Sequence, residues 1–168
     1  MVFFLSLSAI IIRMKIEIDQ SGRVEYTSHD TVVADSRGNG VWLTMKDKRL
    51  LQEMYRMSGR RKMFALEVFS ALVAHVIADG NNGAYDTFVI DKEYVGNESR
   101  IKAYILRYCL FLGVKLEPSQ VDFGLVGKDS KAHVHAYRTF QSPQRNGCRL
   151  LSAKHLLQVL TPQKKDRG

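Results

Sequence analysis

A few residues of this chain are of the types that hold divalent cations or move protons, and each falls where a strand should end or a helix should begin. Asp19 closes the first extended segment, just before Gln20-Ser21-Gly22. Asp91 and Glu93 follow a continuous apolar run, Thr87-Phe88-Val89-Ile90. Asp129 and His133 open a late amphipathic segment, after Gly127-Lys128. Strand ends on one edge of an α/β sheet converge on a crevice where ligands bind. Carboxylates gathered there repel one another unless a cation neutralises them. Oxygen-rich sites suit magnesium or manganese. Two such ions about 3.5–4 Å apart can clamp a scissile phosphodiester. The chemistry this set predicts is hydrolysis of a phosphodiester with Mg2+ or Mn2+. Asp19 would bridge both ions, Asp91 or Glu93 would hold one, and Asp129 or His133 the other.

Each residue also has a plainer reading. Asp19 before Ser-Gly is a natural acceptor of turn hydrogen bonds. Asp91 and Glu93 can be a solvated strand exit that caps the next helix, and Asp129 a helix cap. His133 can be packed or at the surface. Glu67 lies in the most apolar segment of the chain, which is unusual for a carboxylate. It is either a buried fourth acid or a solvent-facing residue at the edge of its helix. His75, in the same segment, reads as a packed, hydrogen-bonded histidine.

The elements that must position these residues follow from periodicity and punctuation. Ile16 and Ile18 alternate with Lys15, Glu17 and Asp19, the period of a half-buried strand. Gln20-Ser21-Gly22-Arg23 is turn chemistry, and Val24-Glu25-Tyr26 resumes an extended pattern, so a hairpin is expected. Thr31 to Ala34 and Val41 to Leu43, separated by the turn Ser36 to Gly40, add further strands. The opening therefore reads as three antiparallel strands. Thr44 and Asp47 form a capping-box pattern, with Leu50, Leu51, Met54 and Met57 on one helical face and Ser58-Gly59 as its end. Arg60-Arg61-Lys62 precedes a second helix, about Met63 to Ala78, which is apolar nearly all round and so buried. Thr87 to Ile90 is a buried central strand. Ile101 to Leu112 is a helix closed by Gly113, Val121 to Val126 a last strand, and Ala132 to Phe140 a helix. Ser142 to Arg149 reads as a polar loop, and Ser152 caps a short final helix.

Composition sets the setting. The chain has 168 residues, 25 Lys+Arg against 17 Asp+Glu and a formal charge of +8, a balance that favours polyanionic partners. Arg60, Arg61, Lys62 and Lys128 are the expected nucleic-acid contacts. The two cysteines, Cys109 and Cys148, form no CxxC pair, which argues against a zinc site or a disulfide framework. No phosphate-cradling GxxxxGK[ST] or GxGxxG loop, no HExxH and no GxSxG elbow is present. Val2 to Ile12 is apolar but shorter than the roughly 20 residues a bilayer span needs. Met14-Lys15-Ile16 reads as a chain start. Residues 1–13 are expected to derive from an upstream start codon and to be dispensable, the alternative being a signal or anchor. Residues 14–160 then form a single domain and 161–168 a basic flexible tail. A cytoplasmic protein without stable membrane association is expected.

Ile16-Glu17-Ile18-Asp19-Gln20-Ser21-Gly22 resembles the first strand of the RNase H-like superfamily, where an Asp in the first strand of a hairpin binds metal. Val89-Ile90-Asp91-Lys92-Glu93-Tyr94 resembles its second acidic motif, at the end of the fourth strand. Gly127-Lys128-Asp129-Ser130-Lys131-Ala132-His133 is similar to the last motif of the Holliday-junction-resolvase branch, where an Asp or His opens a C-terminal helix. The resemblance spans roughly residues 14–140. It implies a three-layer α/β domain on a mixed five-stranded sheet, with the first three strands antiparallel and helices on both faces. An extra helix between the third and fourth strands departs from the pattern, and the last motif leaves Asp129 and His133 as alternatives. A PIN-type nuclease also clusters acids, but its helices alternate with strands from the start, unlike the opening hairpin here. The function expected is that of a metal-dependent nuclease. The alternatives are a non-catalytic nucleic-acid-binding module of the same fold and an interaction protein whose charge serves solubility.

Overall fold

Alternation along the first strand decides which side chains face the acidic residues. In β1 (Lys15–Ser21), Ile16 and Ile18 point into the main core while Glu17 and Asp19 take the opposite face. The computed structural model describes residues 12–161. The expected N-terminal extension and basic tail fall almost wholly outside them. β1 pairs antiparallel with β2 (Thr31–Asp35), and β2 with β3 (Gly40–Leu43). β4 (Thr87–Asp91) runs parallel to β1, and β5 (Val121–Gly124) parallel to β4. A short β6 (Arg149–Leu150) lies parallel to β3. The mixed sheet has six strands in the order β5-β4-β1-β2-β3-β6.

Among the described residues five α-helices complete the fold: α1 (Met45–Met57), α2 (Phe64–Asp79), α3 (Glu98–Phe111), α4 (Lys131–Gln141) and α5 (Ala153–Leu160). α2 is buried from Leu66 to Ile77; a helix apolar all round must be enclosed. It shares the larger core with Ile16, Ile18, Val33, Val41 and Leu43. Val32 and Ala34, whose side chains alternate with Val33, pack instead with Ala136 of α4 and with Trp42 and Phe140. α2 and α4 thus cover opposite faces of the sheet. Thr44 caps α1 by accepting from the Asp47 amide at 3.1 Å, and Ser152 caps α5, both as the spacing predicts.

The structure corrects the sequence reading at several points. Val24-Glu25-Tyr26 is not a strand: Tyr26 N bonds back to Arg23 O at 3.1 Å in a turn, and the hairpin partner of β1 is β2. The cause is Lys48, a fully buried side chain. Its ammonium shares its three N–H groups among the carbonyls of Arg23 (3.0 Å), Tyr26 (2.7 Å) and His29 (2.8 Å) and Thr31 Oγ1 (2.8 Å), and so curls the loop around itself. Burial draws its pKa down to about 8, and a charge held there needs this many acceptors. The same residue explains the misassigned face of α1. The buried stripe is Lys48, Leu51 and Tyr55, while Leu50, Met54 and Met57 face solvent. The sheet has six strands and not five, because Arg149, the end of the expected polar loop, and Leu150 pair alongside β3, and Leu151 N bonds to Trp42 O at 2.9 Å. Gly22 allows the exit from β1: its φ is +73°, and a Cβ there would collide with the Asp30 carbonyl and the Phe140 ring.

Candidate metal centre

The parallel register between β1 and β4 brings the first two acids together. Ile18 lies opposite Ile90, so one step further Asp19 and Asp91 stand side by side on the face away from the main core. The chain then turns sharply, with Glu93 N bonded to Asp91 O at 2.9 Å, and returns Glu93 toward both. Asp19, Asp91 and Glu93 each offer a carboxylate oxygen, and these oxygens lie within 4.8 Å of one another. Asp19 is 3% exposed; the other two are half-buried.

The surroundings orient these carboxylates. Asp19 Oδ1 accepts from the Gln20 amide at 2.8 Å, and Asp91 Oδ1 from the Val126 amide at 2.7 Å. His133 comes from α4, with Nδ1 2.7 Å from Asp19 Oδ2. α4 is held in place by Ser130, which caps the helix by accepting from Ala132 N and donates its hydroxyl to Glu17 of β1. The His133 ring stacks on Tyr137 at 6.1 Å and 8°. Arg23 serves Glu93: it donates to the Glu93 carbonyl at 3.0 Å, sits 3.9 Å from its carboxylate, pairs with Glu25 at 2.7 Å and lies over the Tyr94 ring at 5.0 Å.

The electrostatics favour a cation. Burial raises the Asp19 pKa, and Asp91 adds to the rise against the opposing bonds from His133 and Gln20 N. Burial likewise raises Glu93, reinforced by Asp91 and offset in part by Arg23. Groups whose folded pKa exceeds the unfolded value of about 3.9 for Asp and 4.3 for Glu stabilise the fold fully below those values. That contribution is lost as pH rises through the folded pKa. A pH scan of thermal midpoints should therefore show wild type gaining most over Asp19→Asn, without metal, at acidic pH. The advantage should shrink as pH rises toward neutral. A difference independent of pH would mean that Asp19 is not strained by its neighbours.

Not every expected residue joins this centre. Asp129 is exposed and lines a groove on the other flank of α4. Of the two alternatives for the last position, His133 is the one in contact with Asp19. Glu67 is fully buried but lies elsewhere, accepting from the Tyr55 hydroxyl and paired with Arg60. Arg60 is thereby committed to a structural ion pair, while Arg61 and Lys62 stand exposed in a 3-10 turn (Arg61–Met63). Lys128 is exposed beside α4. His75 is packed, with burial pushing its pKa down to about 4 and Arg149 at 3.3 Å. Arg23 and Tyr94 escaped the sequence reading, since a lone Arg in a turn carries no pattern. Among the described residues no helix is long and apolar enough to cross a membrane. No protein-family model, curated protein or solved structure matches this chain.

Proposed function

We propose that this protein is a divalent-metal-dependent nuclease of RNase H-like architecture. One observation carries the reading: three carboxylates from β1 and the end of β4 converge within 4.8 Å of one another, and two of them are kept from ionising freely by burial and mutual repulsion. Hard oxygen donors in this arrangement suit Mg2+ or Mn2+. The antiparallel β1–β3, with β4 and β5 parallel to β1, supports the three-layer fold, to which α5 and β6 are additions.

In this reading Asp19, Asp91 and Glu93 would hold the divalent ion, and the ion would supply charge neutralisation to a bound phosphodiester. Asp19 stands at the centre because it touches both the acid pair and His133. His133 orients Asp19 and is placed to exchange a proton at the edge of the site. Arg23 holds the Glu93 segment in position. The net charge of +8 draws the polyanionic substrate. The direct test is incubation of the purified chain with labelled DNA and RNA, single- and double-stranded, with Mg2+, with Mn2+ and with chelator. Metal-dependent cleavage of at least one substrate is expected. Binding of nucleic acid without cleavage under any metal would instead identify a non-catalytic binding module.

A further inference from the structure

His133 and His135 are two residues apart on α4, roughly 200° around the helix. His133 turns to Asp19, and His135 turns to the opposite flank. There an open groove of about 500 Å³ runs between α4 and the segment that follows it, with Lys131, His135, Arg138, Thr139 and Asn146 among its lining residues. Among the described residues neither Lys131 nor Arg138 forms an ion pair. The one acid in the lining is Asp129. His135 Nδ1 has no hydrogen-bond partner among the described residues.

The far wall is held rigidly. Arg145, at φ 51°, donates to the carbonyls of Thr139 (3.1 Å), Phe140 and Ser142 (2.6 Å), and pairs with Asp30 at 3.1 Å. One guanidinium thus fastens the segment after α4 both to the end of that helix and to the loop after β1. A groove that carries two exposed cations, Lys131 and Arg138, against the single acid Asp129 can follow an extended chain of phosphates, and it is too large to be filled by a single phosphate ion.

We infer that this groove binds the sugar-phosphate backbone of the nucleic-acid strand whose scissile phosphate lies at the acidic centre. The inference rests on the nuclease reading for the position of that phosphate. The groove and the centre are separated by about one helix diameter, roughly 10–12 Å. A strand advancing about 3.4 Å per nucleotide covers that in three or four nucleotides. Lys131 and Arg138 therefore grip the strand beyond the reacting bond and set its direction across α4.

The test compares wild type with the double variant Lys131→Gln/Arg138→Gln. Both side chains are exposed, so the fold is retained, and circular dichroism confirms it. Binding of short single-stranded and duplex oligonucleotides is titrated against salt in chelator. The variant should lose about 1.4 in log–log salt slope for single strands, or about 1.8 for duplex, the loss of two phosphate contacts. Its Mg2+-induced rise in thermal midpoint should equal that of wild type, because the acids are untouched. An unchanged slope, or a wild type that binds no nucleic acid, overturns the groove. So does inorganic phosphate, at matched ionic strength, displacing the oligonucleotide from wild type but not from the variant, since the groove would then be a small-anion pocket. A lost slope together with no metal-dependent cleavage by wild type keeps the groove and overturns the nuclease reading alone.

Discussion

Asp19→Asn should abolish metal-dependent cleavage and, at neutral pH, leave the metal-free protein at least as stable as wild type. Both halves follow from the position of Asp19 against Asp91 and His133. Asn keeps the shape and can still accept from the Gln20 amide, so the end of β1 is preserved. It removes one of three converging negative charges, and with it repulsion that the metal-free fold must bear. A ligand stabilises only the state that binds it: at a metal concentration about 100 times Kd the gain is about 2.7 kcal/mol. For a chain of this size that corresponds to a rise in thermal midpoint of roughly 5–11 °C. Wild type should show such a rise with Mg2+ or Mn2+, and Asp19→Asn almost none. Differential scanning fluorimetry with and without metal reads both effects. Equal metal-induced shifts in the two proteins would show that Asp19 holds no metal.

The second large effect is expected at Lys48, which is not one of the acids of the centre. Its ammonium is the shared partner of three backbone carbonyls and a hydroxyl in the loop after β1. Lys48→Met fits the volume but leaves those acceptors without a donor. Breaking a buried charged network costs about 3–5 kcal/mol, or roughly 6–20 °C in midpoint. The loop also carries Arg23, which fixes the Glu93 carbonyl. The variant should therefore bind Mg2+ more weakly although every carboxylate is intact, so that the metal-induced shift shrinks as well. Lys48→Arg should not restore either property, because a planar guanidinium cannot point at acceptors converging from several directions. A Met variant with the wild-type midpoint would mean that the loop holds its shape without this clamp.

The two variants mark where the sequence was readable and where it was not. Strand alternation at Ile16 and Ile18, the apolar run at Thr87–Ile90 and the caps at Thr44 and Ser152 are local signals, and the elements they predict are present. Asp19, Asp91 and Glu93 were recognisable because each follows such an element at the end of a strand. Their convergence depends on the parallel pairing of β1 with β4, which joins segments about seventy residues apart and has no local trace. Lys48 defeated the reading because a charged residue is not counted toward an apolar face, although its spacing to Leu51 and Tyr55 is helical. β6 was lost because two residues of pairing leave no periodicity. Asp129 and His133 share one motif, and only the fold separates them, leaving Asp129 in the exposed turn before α4 and carrying His133 on the helix to Asp19.

The contact between Asp19 and His133 spans 114 residues of chain. During synthesis at about 5–20 residues per second, the first acid leaves the ribosome well before the helix that must meet it. Glu93 arrives between the two. No nascent fragment ending short of α4 contains the whole centre, and β1 cannot take its final place before β4 is available to lie beside it. The three carboxylates can therefore meet before the histidine arrives, and the pairing of Asp19 with His133 is among the later contacts of the centre to form.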